Sequence, residues 1–282
     1  MEYKIAHFLH CPFTGLGLYN GFRGNRWLEN RIKIFKQFVI PSLLAQTNKN
    51  FVLWCAFRFE EKNNPLVQEL QEYMNAISDF KTVFTFSGIC FYDDKYEDSL
   101  ARERLISSVH GSMAELLNVM GEADTILMTI QPSDDLYRKD FVEGIQNVFK
   151  GKPDLQAAGF SHGYICNYRT KEVKNYDPQT NPPFYTIKFP RDIFIDPFKH
   201  VNYTALKTYV GKYKAGTPLP SHEYVKDCLN YGIIHKRGFV VGVHGENIST
   251  HIDNPFAGDA VSQNILKDFG IYDVEPLKIK YS

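Results

Sequence analysis

The sequence predicts an α/β fold, in which a mostly parallel sheet flanked by helices is followed by an irregular, mixed C-terminal half. Four apolar strand-like segments, each followed by a helix-like segment, alternate through residues 1–150. This alternation is typical of parallel sheets with helices on both faces. Residues 151–282 carry shorter segments without the alternation. We therefore expect one domain over 1–282, with a regular half (1–150) and a less regular half (151–282).

The first-half elements follow from hydrophobic periodicity. The predicted strands are Tyr3–His10, Phe51–Phe57, Lys81–Phe86 and Thr125–Ile130. The predicted helices are Trp27–Ala45, one that starts at Asn63–Pro65, Ser99–Met120 and Phe141–Phe149. In the first helix, Leu28, Ile32 and Phe35 fall on one face. Pro41 is expected to kink or end it.

The carboxyl ends of parallel strands share one edge of a sheet, where ligands of such folds bind. The loops after His10, Phe57, Phe86 and Ile130 are therefore expected on one rim. In the second half we expect short strands, a helix over Ser221–Asn230 and little pattern after Asn254. The strands are predicted at Leu155–Phe160, Tyr164–Tyr168, Tyr185–Phe189 and Phe239–Val243.

Composition excludes several classes of protein. The 282 residues are 44% hydrophobic and carry 32 basic and 32 acidic side chains, so no basic footprint for nucleic acid exists. The five cysteines form no CxxC pair, which argues against zinc ribbons and thioredoxin-like sites. Neither a signal peptide nor a transmembrane segment is evident. We expect a reducing, cytoplasmic setting, in which any membrane association is peripheral.

Asp134 and Asp135 follow an apolar strand directly and are the strongest candidate site residues. Adjacent carboxylates repel and are costly to desolvate, so they need a compensating partner. A divalent cation that bridges a diphosphate is one such partner. The alternative is a solvated acidic turn that opens the helix at Arg138.

This region resembles the metal-site segment of a bacterial and viral family of rhamnosyltransferase-like GT-A glycosyltransferases. Ile126–Leu136 reads ILMTIQPSDDL and precedes Phe141-Val142, where the family has a strand that ends in Asp-Ser-Asp-Asp and a Phe-Val helix. Two further blocks keep the family's order. The early block comprises Arg31, Phe35, FVIPSL at 38–43, Gln46-Thr47 and Asn50-Phe51. The late block is VHGENIST at 243–250.

The resemblance implies a divalent metal, Mn²⁺ or Mg²⁺, on Asp134 and Asp135, with His244 completing its shell and His251 as a weaker candidate. Pro132 stands where the family has its first Asp, and Ile130 where an Arg is expected. One carboxylate ligand is therefore missing. Mg²⁺ often needs only one or two carboxylates, so metal-dependent and metal-free donor binding both stay open.

Catalytic and donor-binding roles also follow from the resemblance. Glu223, at a predicted helix start, corresponds in placement to the general base of inverting GT-A enzymes, with His222 as the alternative base. For Glu223 a helix-capping role is the structural alternative. The donor-binding candidates are His10, Pro12, Arg26, Arg31, Arg104, Ser133 and Asp134. The glycine-containing loop Thr14–Asn25 lacks P-loop and Rossmann spacing, and we expect it to be mobile near the acceptor.

The resemblance implies transfer of a sugar from a nucleotide-sugar donor to a hydroxyl of a glycan or lipid-linked glycan acceptor, in polysaccharide or glycan synthesis. It also implies a nucleotide-binding half over 1–150 and an acceptor-binding half over 151–282. Pro132 favours an alternative, a degenerate GT-A module that binds glycan or nucleotide without transfer. A nucleotidyltransferase fits less well, because the first loop lacks a basic or glycine-rich phosphate signature. Retention or inversion stays open.

Overall fold

The computed structural model describes residues 4–14, 24–88, 110–178, 184–196, 199, 225–245, 251–272 and 275–279. The strands in these ranges form one ten-stranded sheet. No helix within them is long and apolar enough to cross a membrane. The α/β fold class predicted from the sequence is confirmed.

The first half of the sheet is parallel, as expected. Its strands are β1 (Ile5–Cys11), β2 (Val52–Arg58), β3 (Lys81–Gly88) and β4 (Thr125–Ile130). They lie in the order β3-β2-β1-β4, and each neighbouring pair is parallel. The chain builds outward from β1 on one side and then crosses to its other side at β4. A crevice opens between the carboxyl ends of two strands where the order reverses, so β1 and β4 mark the expected ligand site.

The first helix is longer and less regular than periodicity predicts. It consists of α1 (Asn25–Ile34), a π-helical turn (Phe35–Val39) and α2 (Ile40–Leu44). Pro41 does not end it. The backbone widens into the π-helical turn just before the proline, which has no N–H to donate, and then continues as α-helix.

Helix α3 (Pro65–Ile77) begins at its predicted position. Helix α4 (Met113–Met120) ends at Met120 as predicted, and the predicted start at Ser99 lies outside the described residues. Helix α5 (Phe141–Gly151) begins at its predicted residue. The side chain of Asn64 caps α3 by accepting a hydrogen bond from the Leu66 N–H at 3.0 Å. Helix α5 starts at Phe141 rather than at Arg138, so the acidic pair does not cap it.

The second half of the sheet is mixed. It contains β5 (Leu136–Tyr137), β6 (Ala157–Asn167), β7 (Val173–Tyr176), β8 (Tyr185–Pro190), β9 (Tyr231–Val243) and β10 (Ala257–Ala260). The helices of this half are α6 (Arg191–Ile195), α7 (Val225–Cys228) and the 3₁₀ helix Gln263–Phe269. A shorter 3₁₀ helix, Phe59–Glu61, follows β2 in the first half. The sheet continues from β4 through β8, β6 and β7 to β10, and β9 pairs with both β5 and β6.

Three strand predictions in this half were wrong in extent. The predicted strands 155–160 and 164–168 are one strand, β6, because the polar residues between them are absorbed by shifts in the register with β9. Strand β9 begins at Tyr231 rather than at Phe239. Its first residues were missed because they alternate irregularly between exposed and buried positions and so lack a strand-like apolar pattern. The pairing of β6 with β9 holds the middle of β6 and the first residues of β9 in the sheet, although neither has an apolar pattern.

The core lies on both faces of the sheet. Leu9, Leu53 and Leu127 pack on one face with α1, α2, α3 and α5. Phe8 and Met128 pack on the opposite face with α4. Covering both faces holds β1 and β4 firmly, so the residues just beyond their carboxyl ends have a fixed relation to each other.

Candidate functional site

The turn after β4 is joined to the end of β1. The Gln131 N–H donates to the carbonyl oxygen of His10 at 2.7 Å. The buried Gln131 side chain closes the turn, because its Nε2 donates to the carbonyls of Pro132 and Asp135, both at 2.9 Å. The acidic pair therefore lies at the strand-order reversal, on the rim expected from the sequence.

A second set of contacts clamps this turn against the C-terminal half. The Tyr168 hydroxyl donates to the carbonyl of Asp134 at 2.7 Å, and the Gly242 N–H donates to Oδ1 of Asp135 at 2.8 Å. A Cβ on Gly242 would clash with the Asp134 carbonyl and the Tyr168 ring. Asp135 is only 8% exposed. A solvated acidic turn is therefore the wrong interpretation of this pair.

The carboxylate of Asp134 lies between two side chains from distant parts of the chain. Its Oδ2 lies 2.5 Å from Nη1 of Arg31, in α1, and 3.0 Å from Nε2 of His244, which follows β9. The side chains of Arg31, His244 and Asp134 are 4%, 1% and 15% exposed. The Arg31 guanidinium also lies 5.3 Å from the ring centre of Trp27, one helical turn earlier. We call Arg31, Asp134 and His244 the Asp134 cluster.

The pKa values of the two carboxyl groups are shifted in opposite directions. Burial by itself would raise the pKa of Asp134, but the charge of Arg31 and the hydrogen bond with His244 outweigh it and lower the pKa to about 2. Burial and the neighbouring charge of Asp134 raise the pKa of Asp135 well above its usual value. Asp134 is thus a stable anion, while Asp135 takes up a proton more readily.

The arrangement of these donors does not suit a divalent cation. Within the described ranges, no group of three or more His, Cys, Asp and Glu side chains is placed to hold a metal ion. Oδ2 of Asp134 already meets a guanidinium, and Oδ1 of Asp135 is turned to a backbone amide. The metal expected from the resemblance stays a prediction, with Asp134, Asp135 and His244 as the residues concerned.

The remaining predicted residues differ in burial, and some of them lie outside the described residues. His10 is buried with its ring stacked on Trp54 at 4.0 Å, and burial lowers its pKa to about 3. Pro12 and Ser133 are half-buried at the ends of β1 and β4, and Arg26 and His251 are exposed. Glu223, His222 and Arg104 lie outside the described residues, as do 15–23 of the glycine-containing loop.

Sequence reasoning missed a second polar group on the same rim. Glu61, just beyond β2, is buried, and its Oε2 accepts hydrogen bonds from the Arg58 N–H at 3.0 Å and from the Thr14 hydroxyl. Burial raises the pKa of Glu61. Phe59 beside it is 69% exposed. The signal was available, since Glu61 follows a strand whose carboxyl end was expected on this rim.

Comparison with known proteins supports the resemblance over part of the chain. Residues 22–87 match the family described as "Putative rhamnosyl transferase". The rhamnosyltransferase-like resemblance is therefore confirmed for this segment. It contains α1 to β3, and with them Arg31 and Glu61, but not the acidic pair.

Two solved structures show a distant overall similarity. TarS of S. aureus is 11% identical with a TM-score of 0.35, over 85% of this chain and 37% of the TarS chain. The chain thus spans well under half of the TarS chain. A "putative nucleotide-diphospho-sugar transferase" from Desulfovibrio desulfuricans G20 is 12% identical with a TM-score of 0.38, over 84% of this chain and 80% of that chain. No curated protein matches the chain.

Proposed function

We propose that this protein is a glycosyltransferase that moves a sugar from a nucleotide-sugar donor to a hydroxyl of a glycan or lipid-linked glycan acceptor. The observation that carries the proposal is the Asp134 cluster beside the strand-order reversal of β1 and β4. Crevices at such reversals bind nucleotides in open α/β sheets. Arg31 of this cluster lies in the segment that matches the rhamnosyl transferase family.

The donor would lie along the rim from β2 to β4. Its base would lie near the ends of β1 and β2, where Pro12, Thr14 and Glu61 are found. The donor sugar and diphosphate would lie near Ser133 and Asp134. A pyrimidine or guanine nucleotide suits Glu61, because a carboxylate accepts hydrogen bonds from the ring N–H of uracil, thymine or guanine and from the amino group of cytosine. A deoxyhexose as the sugar rests on the family description alone.

Catalysis would depend on positioning and charge. The acceptor oxygen forms a bond to the anomeric carbon as the bond from that carbon to the diphosphate oxygen breaks, and the diphosphate leaves with the bonding electrons. A general base takes the acceptor proton, a role we assign to Glu223 with His222 as the alternative. The Asp134 cluster would orient the donor, since its ionised groups are held in a fixed, partly dry position.

Calorimetric titration with UDP, GDP, dTDP, CDP and ADP, with and without Mn²⁺, tests the proposal. We expect one nucleotide to bind clearly tighter than the rest, and the corresponding nucleotide-sugar to release nucleotide diphosphate when acceptor is added. Asp134→Asn should abolish both signals, while Asp259→Asn, on exposed β10, should change neither. Absence of binding by every nucleotide would overturn the proposal.

Pro132 supports the alternative function, a module that binds glycan or nucleotide without transfer. It replaces a carboxylate of the family motif. Nucleotide binding with no release of diphosphate from any nucleotide-sugar, over the panel above, would favour this alternative.

A further inference from the structure

Asp134 already has a cationic partner built from the chain itself. We propose that Arg31 is the resident cation of this site, occupying the position on Asp134 that a divalent metal ion would take, so that the site binds its ligand without metal. The part that concerns the ligand rests on the proposed function. The part that concerns Arg31 stands on the Asp134 cluster alone.

The geometry on Asp134 carries the first step. Both Nη1 of Arg31, at 2.5 Å, and Nε2 of His244, at 3.0 Å, converge on the same oxygen, Oδ2. A Mg²⁺ or Mn²⁺ ion bonded to that oxygen would lie next to a guanidinium, which is positively charged at every physiological pH. Two cations at such a distance in a partly dry site repel strongly. Metal binding therefore requires Arg31 to leave.

Arg31 is not free to leave at low cost. Its side chain is 4% exposed and comes from the last turn of α1, with the guanidinium over the Trp27 ring. A buried arginine that loses its carboxylate leaves an uncompensated charge, which is strongly unfavourable. An exposed lysine, by contrast, could leave its carboxylate at little cost, because water would solvate its charge.

Asp135 does not offer a second anchor for metal. Its Oδ1 accepts the Gly242 N–H, and its carbonyl accepts from the Gln131 side chain. Turning this carboxylate toward a metal on Asp134 would break its buried hydrogen bond with the Gly242 N–H. Pro132 stands where the family motif has its first carboxylate. The carboxylate of Asp134 is therefore the one that meets the cluster, and the charge of Arg31 balances it.

Mn²⁺ binding followed by electron paramagnetic resonance tests this inference on the full chain, alone and with UDP or GDP present. Wild type is expected to show no saturable Mn²⁺ site. Arg31→Gln is expected to gain one, and Arg31→Gln with Asp134→Asn to lose it again. Lys33→Gln, at an exposed position of the same helix, is the matched control and should behave as wild type.

Two outcomes would overturn the inference. One is a saturable Mn²⁺ site in wild type that Asp134→Asn removes. The other is a folded Arg31→Gln protein that binds no Mn²⁺. If Arg31→Gln does not fold, the wild-type titration decides, together with nucleotide affinity measured in EDTA and in Mn²⁺, which should agree. Failure of every nucleotide to bind would count against the proposed function, whereas the Mn²⁺ titration without nucleotide would still test Arg31.

Discussion

Nη1 of Arg31 and Oδ2 of Asp134 lie 2.5 Å apart in a nearly buried ion pair that joins the first helix to the turn after the fourth strand. Arg31 lies in α1 and Asp134 in the turn after β4, so the pair ties the helical layer to the carboxyl edge of the sheet. His244 adds a third element, the end of β9, to the same oxygen. The consequences for stability, charge and ligand binding are separable by experiment.

Breaking this pair should destabilise the protein strongly. Arg31→Gln leaves Asp134 without its cation, and loss of one partner of a buried pair costs about 3–5 kcal/mol. Urea unfolding followed by circular dichroism measures the loss. Arg26→Gln, at an exposed position of the same helix, should stay within about 0.5 kcal/mol of wild type. Equal stability of the two variants would contradict the ion pair.

The two carboxylates of the turn should differ in their effect on function. Asp134→Asn removes the charge that meets Arg31 and His244, so we expect loss of donor binding or turnover. Asp135→Asn keeps an oxygen that can accept the Gly242 N–H, so most function should remain. The double change to Ala should abolish function while the fold persists. Nucleotide titration and diphosphate release, with near-wild-type circular dichroism, check all three; an active Asp134→Asn protein would refute the site.

Gly242 should tolerate no side chain. A Cβ there clashes with the Asp134 carbonyl and the Tyr168 ring, and overpacking of this kind costs about 1–3 kcal/mol. Gly242→Ala should therefore lower both the unfolding free energy and nucleotide affinity. Gly151→Ala, where a Cβ meets nothing within 4 Å, is the control and should be nearly neutral. A fully stable Gly242→Ala protein would show that the turn is not clamped by β9.

Asp134 should contribute stability that is lost in acid. Its pKa falls from 3.8 to about 2 on folding, so the folded state binds fewer protons than the unfolded state. The contribution is complete above about pH 4 and disappears as the pH falls toward about 2. The stability difference between wild type and Asp134→Asn should shrink over this window. Chemical unfolding at several pH values measures it, and a constant difference would contradict the lowered pKa.

Glu223 should affect turnover far more than donor affinity. Removal of a general base typically lowers the rate about 10²–10⁴-fold, whereas a helix cap would affect stability and affinity together. Steady-state kinetics and nucleotide titration of Glu223→Gln distinguish the two roles. His222→Gln provides the comparison: a larger rate loss there would make His222 the base.

Local pattern was sufficient for the parallel half of the fold. The strand predicted at Thr125–Ile130 has the same bounds in the structure, and the helix expected after Asn64 begins at Pro65. These elements carry their own apolar periodicity, which depends only on neighbours in sequence. Strand β10 and the first part of β9 were missed because exposed or irregular residues gain their strand conformation from pairing, not from their own pattern.

The sequence by itself determined that this protein has an α/β fold and that two carboxylates follow a buried strand at its ligand-binding rim, because both features are written in short stretches of chain. Only the tertiary structure decided that Arg31 and His244 meet on Oδ2 of Asp134, and that Asp135 turns to Gly242 instead. The strand order β3-β2-β1-β4 and the pairing of β9 bring these residues together. Such convergence depends on long-range packing, which the spacing of residues along the chain does not specify.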